Sequence, residues 1–368
     1  MLGQVSVSNG NLNQGDAPGI EKKVLFIGVG DISLNSTISV NAQTDLDVVL
    51  GGNDSAIKTQ VLAAQQNGGD LWQAWARPID GADDWQDEAD LAMQTISPEM
   101  IAVCTPITAS TDLEAAHTYA EGLRTSLGRR VAVVMATAGI DFVNQAWPDY
   151  ETTQAALTNG VAANRVAAVP LTHGNNLGVL MGRLCRADVS VSDSPMRTAT
   201  GANIGLGATP VDKNDVPYSN ATAATLDANR LTVVQTYPDL PGTYWGDCNL
   251  LEVPGGDYSV IEYLRPVDKA CRAVRLIEIG MVANRAINST PISQASTKNK
   301  LMKPLRSMAK SSVFNSDVLP GEIEPPSDNA VQLVWKSKTE LETYISIKPY
   351  DAPKTITTVV YLDLSNPS

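Results

Sequence analysis

Few residues of this chain stand in arrangements that chemistry needs. It has two histidines in 368 residues. His173 follows the strand-like run Arg165–Leu171, where ligands gather in α/β sheets, and Asp141 follows another such run and could join it. His117 borders the apolar stripe of a helix, the place of a boundary residue. No spacing sets a nucleophile beside either ring. Gly28-Val29-Gly30 follows a strong strand, as a dinucleotide loop would. However, Ser33 stands where the third glycine belongs, and a strand-like stretch follows where a helix should begin. Gly201–Thr209, GANIGLGAT, lacks the Gly-Lys-Ser/Thr of a phosphate loop and reads as a flexible connector. Neither a GxSxG elbow nor an HExxH helix is present.

Metal chemistry is no better served. Asp80–Asp90, DGADDWQDEAD, holds six carboxylates, but their spacing is not that of an EF-hand, and acids favour the first turn of a helix. Cys104, Cys185, Cys248 and Cys271 lie far apart, with no zinc spacing, and read as small apolar residues kept reduced. The expectation is a chain with no catalytic residue, no cofactor and no metal. Its enzymatic rival is a cytoplasmic α/β enzyme acting on a small molecule near His173.

The elements behind these residues are plain. Strand-like runs at Lys23–Val29, Leu71–Pro78, Met100–Pro106, Arg130–Thr137 and Arg165–Leu171 alternate with helical stretches at 55–66, 87–95, 111–127, 150–162 and 177–187. A weaker strand lies at 37–40. The helix at 111–127 carries the stripe Leu113, Ala116, Ala120, Leu123 and Leu127, with Thr111 and Glu114 as a capping box and Gly128 as its stop. Such alternation implies βαβ crossovers and an α/β fold, a mostly parallel sheet flanked by helices. A Gly/Ser/Asn/Thr-rich linker follows at 193–230.

A C-terminal core of α+β type spans 231–353. Its long helix carries Leu264, Val267, Cys271, Val274, Ile277 and Met281 on one stripe and ends near Asn288. A second helix runs from Ile292 to Met308, a loop from Phe314 to Asp328, and strands AVQLVWKS and LETYISIK close the core. The ends read as extended strand arms, 1–22 and 354–368, outside a body at 23–192. Val5 and Val7 alternate with serines near the N-terminus. At the other end Ile356, Thr358, Val360 and Leu362 share one face while Val359 and Tyr361 take the other. A strand apolar on both faces needs neighbours on both.

Composition bounds the function. An apolar share of 43% can build cores, and 18% charged residues argues against disorder. The N-terminus has no secretory pattern and no run is long enough to span a membrane, so a soluble protein remaining in the producing cell is expected. A net charge of −13 argues against nucleic acid as a direct partner. Val260–Lys310 nevertheless holds ten Lys/Arg against three acids, a local +7 that leaves −20 on the rest. Arg265, Lys269 and Arg272, at i, i+4 and i+7, share one helix face.

Three stretches carry a family resemblance. Gly242–Ile287, with its aromatic-Gly-Asp turn at Trp245-Gly246-Asp247 and Tyr- and Arg-bearing opening of a long helix, resembles the C-terminal core of contractile phage tail sheath proteins. SDSPMRTATG (192–201) and LGGNDSAIKTQVLAAQQNGG (50–69) are similar to that family's linking segment and first helix. One departure stands in the turn, Cys248-Asn249 where many sheaths have Arg-Thr. The resemblance implies a virion subunit, assembled in the bacterial host cytoplasm, that polymerises helically around an inner tail tube and contracts to drive it through the host envelope. Its partners would be its own copies, the tube, and the baseplate and tail terminator proteins. On that reading Arg265, Lys269, Arg272, Lys298, Lys300 and Lys303 face the tube, and the strands of Val5, Val7, Ile356, Thr358, Val360 and Leu362 pair between subunits.

Overall fold

The computed structural model describes residues 19–314 and 317–362. Val5 and Val7 lie outside them. The chain begins with β1 (Val24–Val29), β2 (Ile38–Asn41), α1 (Leu46–Leu50), α2 (Ala56–Gly68), β3 (Gln73–Ile79), α3 (Trp85–Ala92) and β4 (Met100–Ile107). It continues through α4 (Ser110–Leu127), β5 (Ala132–Thr137), α5 (Trp147–Thr158), β6 (Val166–Pro170) and α6 (Asn176–Leu184). These strands form one six-stranded sheet in the order β2-β3-β1-β4-β5-β6, parallel except for β2 at its edge. Val24 and Phe26 point to the face covered by α2 and α6, Leu25 and Ile27 to the face covered by α3, α4 and α5. A sheet apolar on both faces and roofed on both by crossover helices is the α/β arrangement expected.

The helix pair on one face depends on two glycines. A Cβ on Gly178 would lie 2.0 Å from the backbone oxygen of Gln60, and one on Gly182 would lie 2.5 Å from that of Ala64. The Gln60 side chain fills the seam, accepting from the Gly178 N–H and donating to the Gly174 carbonyl, both at 2.8 Å. Gly178→Ala is therefore expected to cost about 1–3 kcal/mol through forced separation of α2 and α6. Gly122→Ala on the exposed face of α4, where nothing lies within 4 Å, should be neutral or gain about 0.5–1 kcal/mol. Urea midpoints of the two variants check the contrast.

Several expectations need correction. The cap of α4 sits two residues earlier than the sequence suggests, at Ala109: Asp112 accepts from the Ala109 N–H, and Thr111 and Glu114 form no capping box. Leu127 on that helix is exposed. The stretch at 193–230 is more than a linker, since α7 (Asn220–Ala228) forms within it, capped by Ser219. Its Gly-rich part is pinned, because Asn67 exchanges two hydrogen bonds with Ile204 and Arg183 donates to the Thr200 carbonyl.

Beyond it come the hairpin β7 (Val234–Tyr237) and β8 (Leu240–Trp245), then α8 (Ile261–Ile279) and α9 (Pro291–Met308). The long helix stops at Ile279, before Asn288, in a series of turns. Short strands β9 (Ser312–Phe314) and β10 (Asp317–Leu319) pair where a loop is expected, and β11 (Val331–Trp335) and β12 (Leu341–Ile345) form a separate hairpin. Val274 of α8, Leu301, Met302 and Leu305 of α9 and Val331 of β11 make a core of their own. Residues 355–362 are sandwiched by nothing among the described residues. They form no strand, and Ile356, Val359, Val360, Tyr361 and Leu362 are 65–87% exposed.

Candidate assembly interface

Where α8 meets the sheet, charges decide the geometry. Glu99 stands immediately before β4, Arg130 before β5, Arg165 before β6 and Glu21 before β1, all at the amino-terminal ends of parallel strands. α8 answers each of them. Arg265 grips Glu99 through two hydrogen bonds of 2.8 and 3.0 Å, with both residues almost fully buried. Asp268 receives Arg165 at 2.7 and 3.0 Å and Arg130 at 3.2 Å. Arg272 reaches Glu21 at 2.8 Å, and Lys269 pairs with Glu322.

Burial alone would raise the Glu99 carboxyl, but the charge and hydrogen bonds of Arg265 hold it below the usual range. The same carboxylate holds the Arg265 guanidinium above its ordinary value against burial. This corrects the reading of α8 as a free basic face. Arg265 is enclosed, while Lys269 and Arg272 are half-buried at the edge of an open cleft and already paired with Glu322 and Glu21. A face drawn from i, i+4, i+7 spacing locates neighbours on a helix, not what covers them.

The cations left over are on α9 and at the sheet rim. Lys300 and Lys303 are exposed and Lys298 half-exposed, with no ion pair among the described residues. Lys300 and Lys303 line an open cleft of about 1380 Å³ between α9, α8 and the sheet's amino-terminal rim, together with Arg129, Arg275 and Lys310. Among the described residues nine Lys/Arg and two acids line this cleft, an excess of positive charge.

The residues that suggested enzyme chemistry are not brought together. Burial brings the His173 imidazole down to about 4. Its Nδ1 lies 3.0 Å from Thr172 Oγ1 and its ring meets Tyr218 edge-on at 5.5 Å. Asp141 is exposed and accepts from the Val143 N–H and Asn144 Nδ2 of its own loop. In the acidic run, Asp84 caps α3 by accepting from the Gln86 N–H, while Glu88 is buried against Arg77. Among the described residues no three acids, histidines or cysteines are grouped to hold a metal ion, and no helix is long and apolar enough to cross a membrane. Cys104, Cys185 and Cys248 are buried; burial raises all three thiols, Cys185 and Cys248 to about 12.

The turn after Trp245 is built from core contacts. Trp245 and Cys248 are fully buried, and Asn249 holds the following segment by donating to Asp227 and to the Leu231 carbonyl. From Pro349 onward the chain leaves the β11–β12 hairpin, and Lys354 returns to touch this turn at Asp247, 2.7 Å away. Nothing in the sequence signals this contact.

Comparison with known proteins agrees with the architecture. The N-terminal domain of the DUF2586 family matches residues 2–249 and its C-terminal domain matches residues 257–365. A curated protein of Haemophilus phage HP1, named "Putative tail sheath protein", is 37% identical over 376 residues, covering 100% of this chain and 99% of that protein. Among solved structures, the contracted sheath complex of PVC, an extracellular contractile injection system, superposes with a TM-score of 0.59 at 13% identity, covering 99% of both chains. The sheath tail protein of Desulfitobacterium hafniense superposes with a TM-score of 0.57 at 10% identity, covering 94% of this chain and 97% of that one. These last two share the fold. Matched along its length by both domains of one family and by the phage HP1 protein, the chain belongs to the DUF2586 family of phage tail sheath proteins.

Proposed function

We propose that the chain is the structural subunit of a contractile tail sheath, assembled in the cytoplasm of the bacterial host. It polymerises helically around an inner tube between baseplate and terminator proteins, and its shortening drives the tube through the envelope. The observation that carries this is the pair of unsatisfied features at the C-terminal end. Residues 355–362 expose five large apolar side chains, and the two-stranded β11–β12 sheet has no third strand among the described residues. Backbone groups on an open edge seek partners, and an extended segment from another copy supplies them. Ile356, Thr358, Val360 and Leu362 are the residues of that added strand, with Val5 and Val7 as its counterpart from the N-terminal arm.

The tube contact falls to Lys298, Lys300 and Lys303 on α9, in place of the enclosed Arg265. Exposed ion pairs contribute roughly 0–1 kcal/mol each and weaken with salt, which suits a contact that must let go when the lattice shortens. Lys298→Glu, Lys300→Glu and Lys303→Glu together are expected to abolish co-sedimentation with tubes at low salt and to leave tube-free polymerisation intact. Equal loss of both would move these lysines to a contact between sheath subunits.

A further inference from the structure

The arm does not leave the hairpin freely. After β12 the chain has only a short run before Lys354, and Lys354 Nζ sits between two carboxylates, 2.7 Å from Asp247 Oδ1 and 2.7 Å from Glu262 Oε1. Glu262 is 5% exposed, in the first turn of α8, and Asp247 belongs to the turn after Trp245. The Tyr263 ring lies 6.0 Å from the same ammonium, within reach of a cation–π contact. A lysine with two carboxylates and an aromatic face is held by a socket, and the lysine is the last tethered residue before the exposed apolar segment.

A strand that follows β12 directly would ordinarily turn back and pair with it, because sequential strands joined by a short connection usually neighbour one another. The sequence here favours that outcome, since 355–362 is β-branched and apolar and no strand among the described residues pairs with the outer edge of β12. We infer that the Asp247–Glu262 socket, by holding Lys354, steers the C-terminal arm away from its own β11–β12 hairpin and so makes strand pairing intermolecular. This rests on the strand-exchange reading above and adds its positioning residues. Supporting it, burial raises Glu262 above the usual carboxylate range despite Lys354, while Glu262 and Asp247 hold Lys354 above the ordinary lysine value against burial. The acid is thus placed where only a cation justifies it.

Trypsin reads the socket without reference to assembly. Lys354–Thr355 is a tryptic bond, whereas Lys348 precedes Pro349 and resists cleavage, so release of 355–368 reports on Lys354 alone at this end. In unassembled full-length protein, cleavage at Lys354 is measured relative to cleavage in the exposed β11–β12 turn at Lys336 and Lys338. Glu262→Gln with Asp247→Asn should raise that ratio at least tenfold while the melting temperature confirms the fold. An unchanged ratio overturns the socket.

Steering is then tested by pelleting. Lys354→Met should leave folded subunits that do not polymerise, and Lys354→Arg should restore polymers. Normal polymerisation of Lys354→Met, with the tryptic result positive, overturns steering while leaving the socket standing. Failure of the underlying reading is separate and visible, since a chain lacking 355–368 would then polymerise normally.

Discussion

Arg265→Met is expected to lower stability by about 3–5 kcal/mol, the cost of leaving one member of a buried ion pair without its partner. Glu99 is 3% exposed and takes two of its hydrogen bonds from that guanidinium. With Arg265 gone, the carboxylate must be protonated or the joint between α8 and the sheet must open. Arg265→Met combined with Glu99→Leu should recover most of the loss, because an apolar pair of similar volume avoids desolvating either charge. The pH dependence has a definite sign. The folded Glu99 carboxyl lies below its ordinary value, so its contribution is present in full above the unfolded carboxylate range near ~4.3 and is lost as pH falls through the folded value. The double variant should lose that part of the acid dependence. Urea unfolding followed by circular dichroism from pH 7 downward measures both effects, and a single variant as stable as the parent would contradict the account of this joint.

Removal of either arm is expected to separate folding from assembly. Chains lacking 1–18 or 354–368 should keep the parent's far-ultraviolet spectrum and a cooperative thermal transition, since the described cores of the sheet and of α8, α9 and β11 are built from buried residues between Val24 and Val331. Yet both should remain in the supernatant where the intact chain pellets. The critical concentration should rise at least tenfold, or about 1.4 kcal/mol per contact. A truncated chain that pellets normally would remove that terminus from the lattice contact.

How much of this was readable beforehand differs by element. The sheet was legible because Val24–Val29, Met100–Val103 and Val133–Ala136 are unbroken apolar runs, and only strands covered on both faces are written so. α4 was legible through its stripe, although its cap was misplaced by two residues because the N-cap is Ala109, which has no capping side chain of its own and relies on Asp112 reaching back to its N–H. α7 was missed because NATAATLDA is built from Ala and Thr, which carry little periodic contrast. Arg265 was misjudged for a deeper reason. Its partner lies 166 residues away, and nothing local to a helix tells whether a cation faces water or a distant acid. The one available signal was Glu99 itself, an acid set directly against a fully apolar strand, where it could stay charged only beside a cation. The Lys354 socket left no mark of that kind, since Asp247, Glu262 and Lys354 each look like ordinary surface residues in their own segments. The arm beyond it reads in the sequence as a strand apolar on both faces, whereas residues 355–362 form no strand and leave their apolar side chains exposed.

Negative-stain electron microscopy of the purified full-length chain, with the truncated chain beside it, tests the central claim most directly. Hollow cylinders of uniform diameter from the intact chain, absent from the chain without 354–368, are the predicted result. Discrete single particles from the intact chain, at every concentration up to its solubility and with tubes supplied, would contradict it.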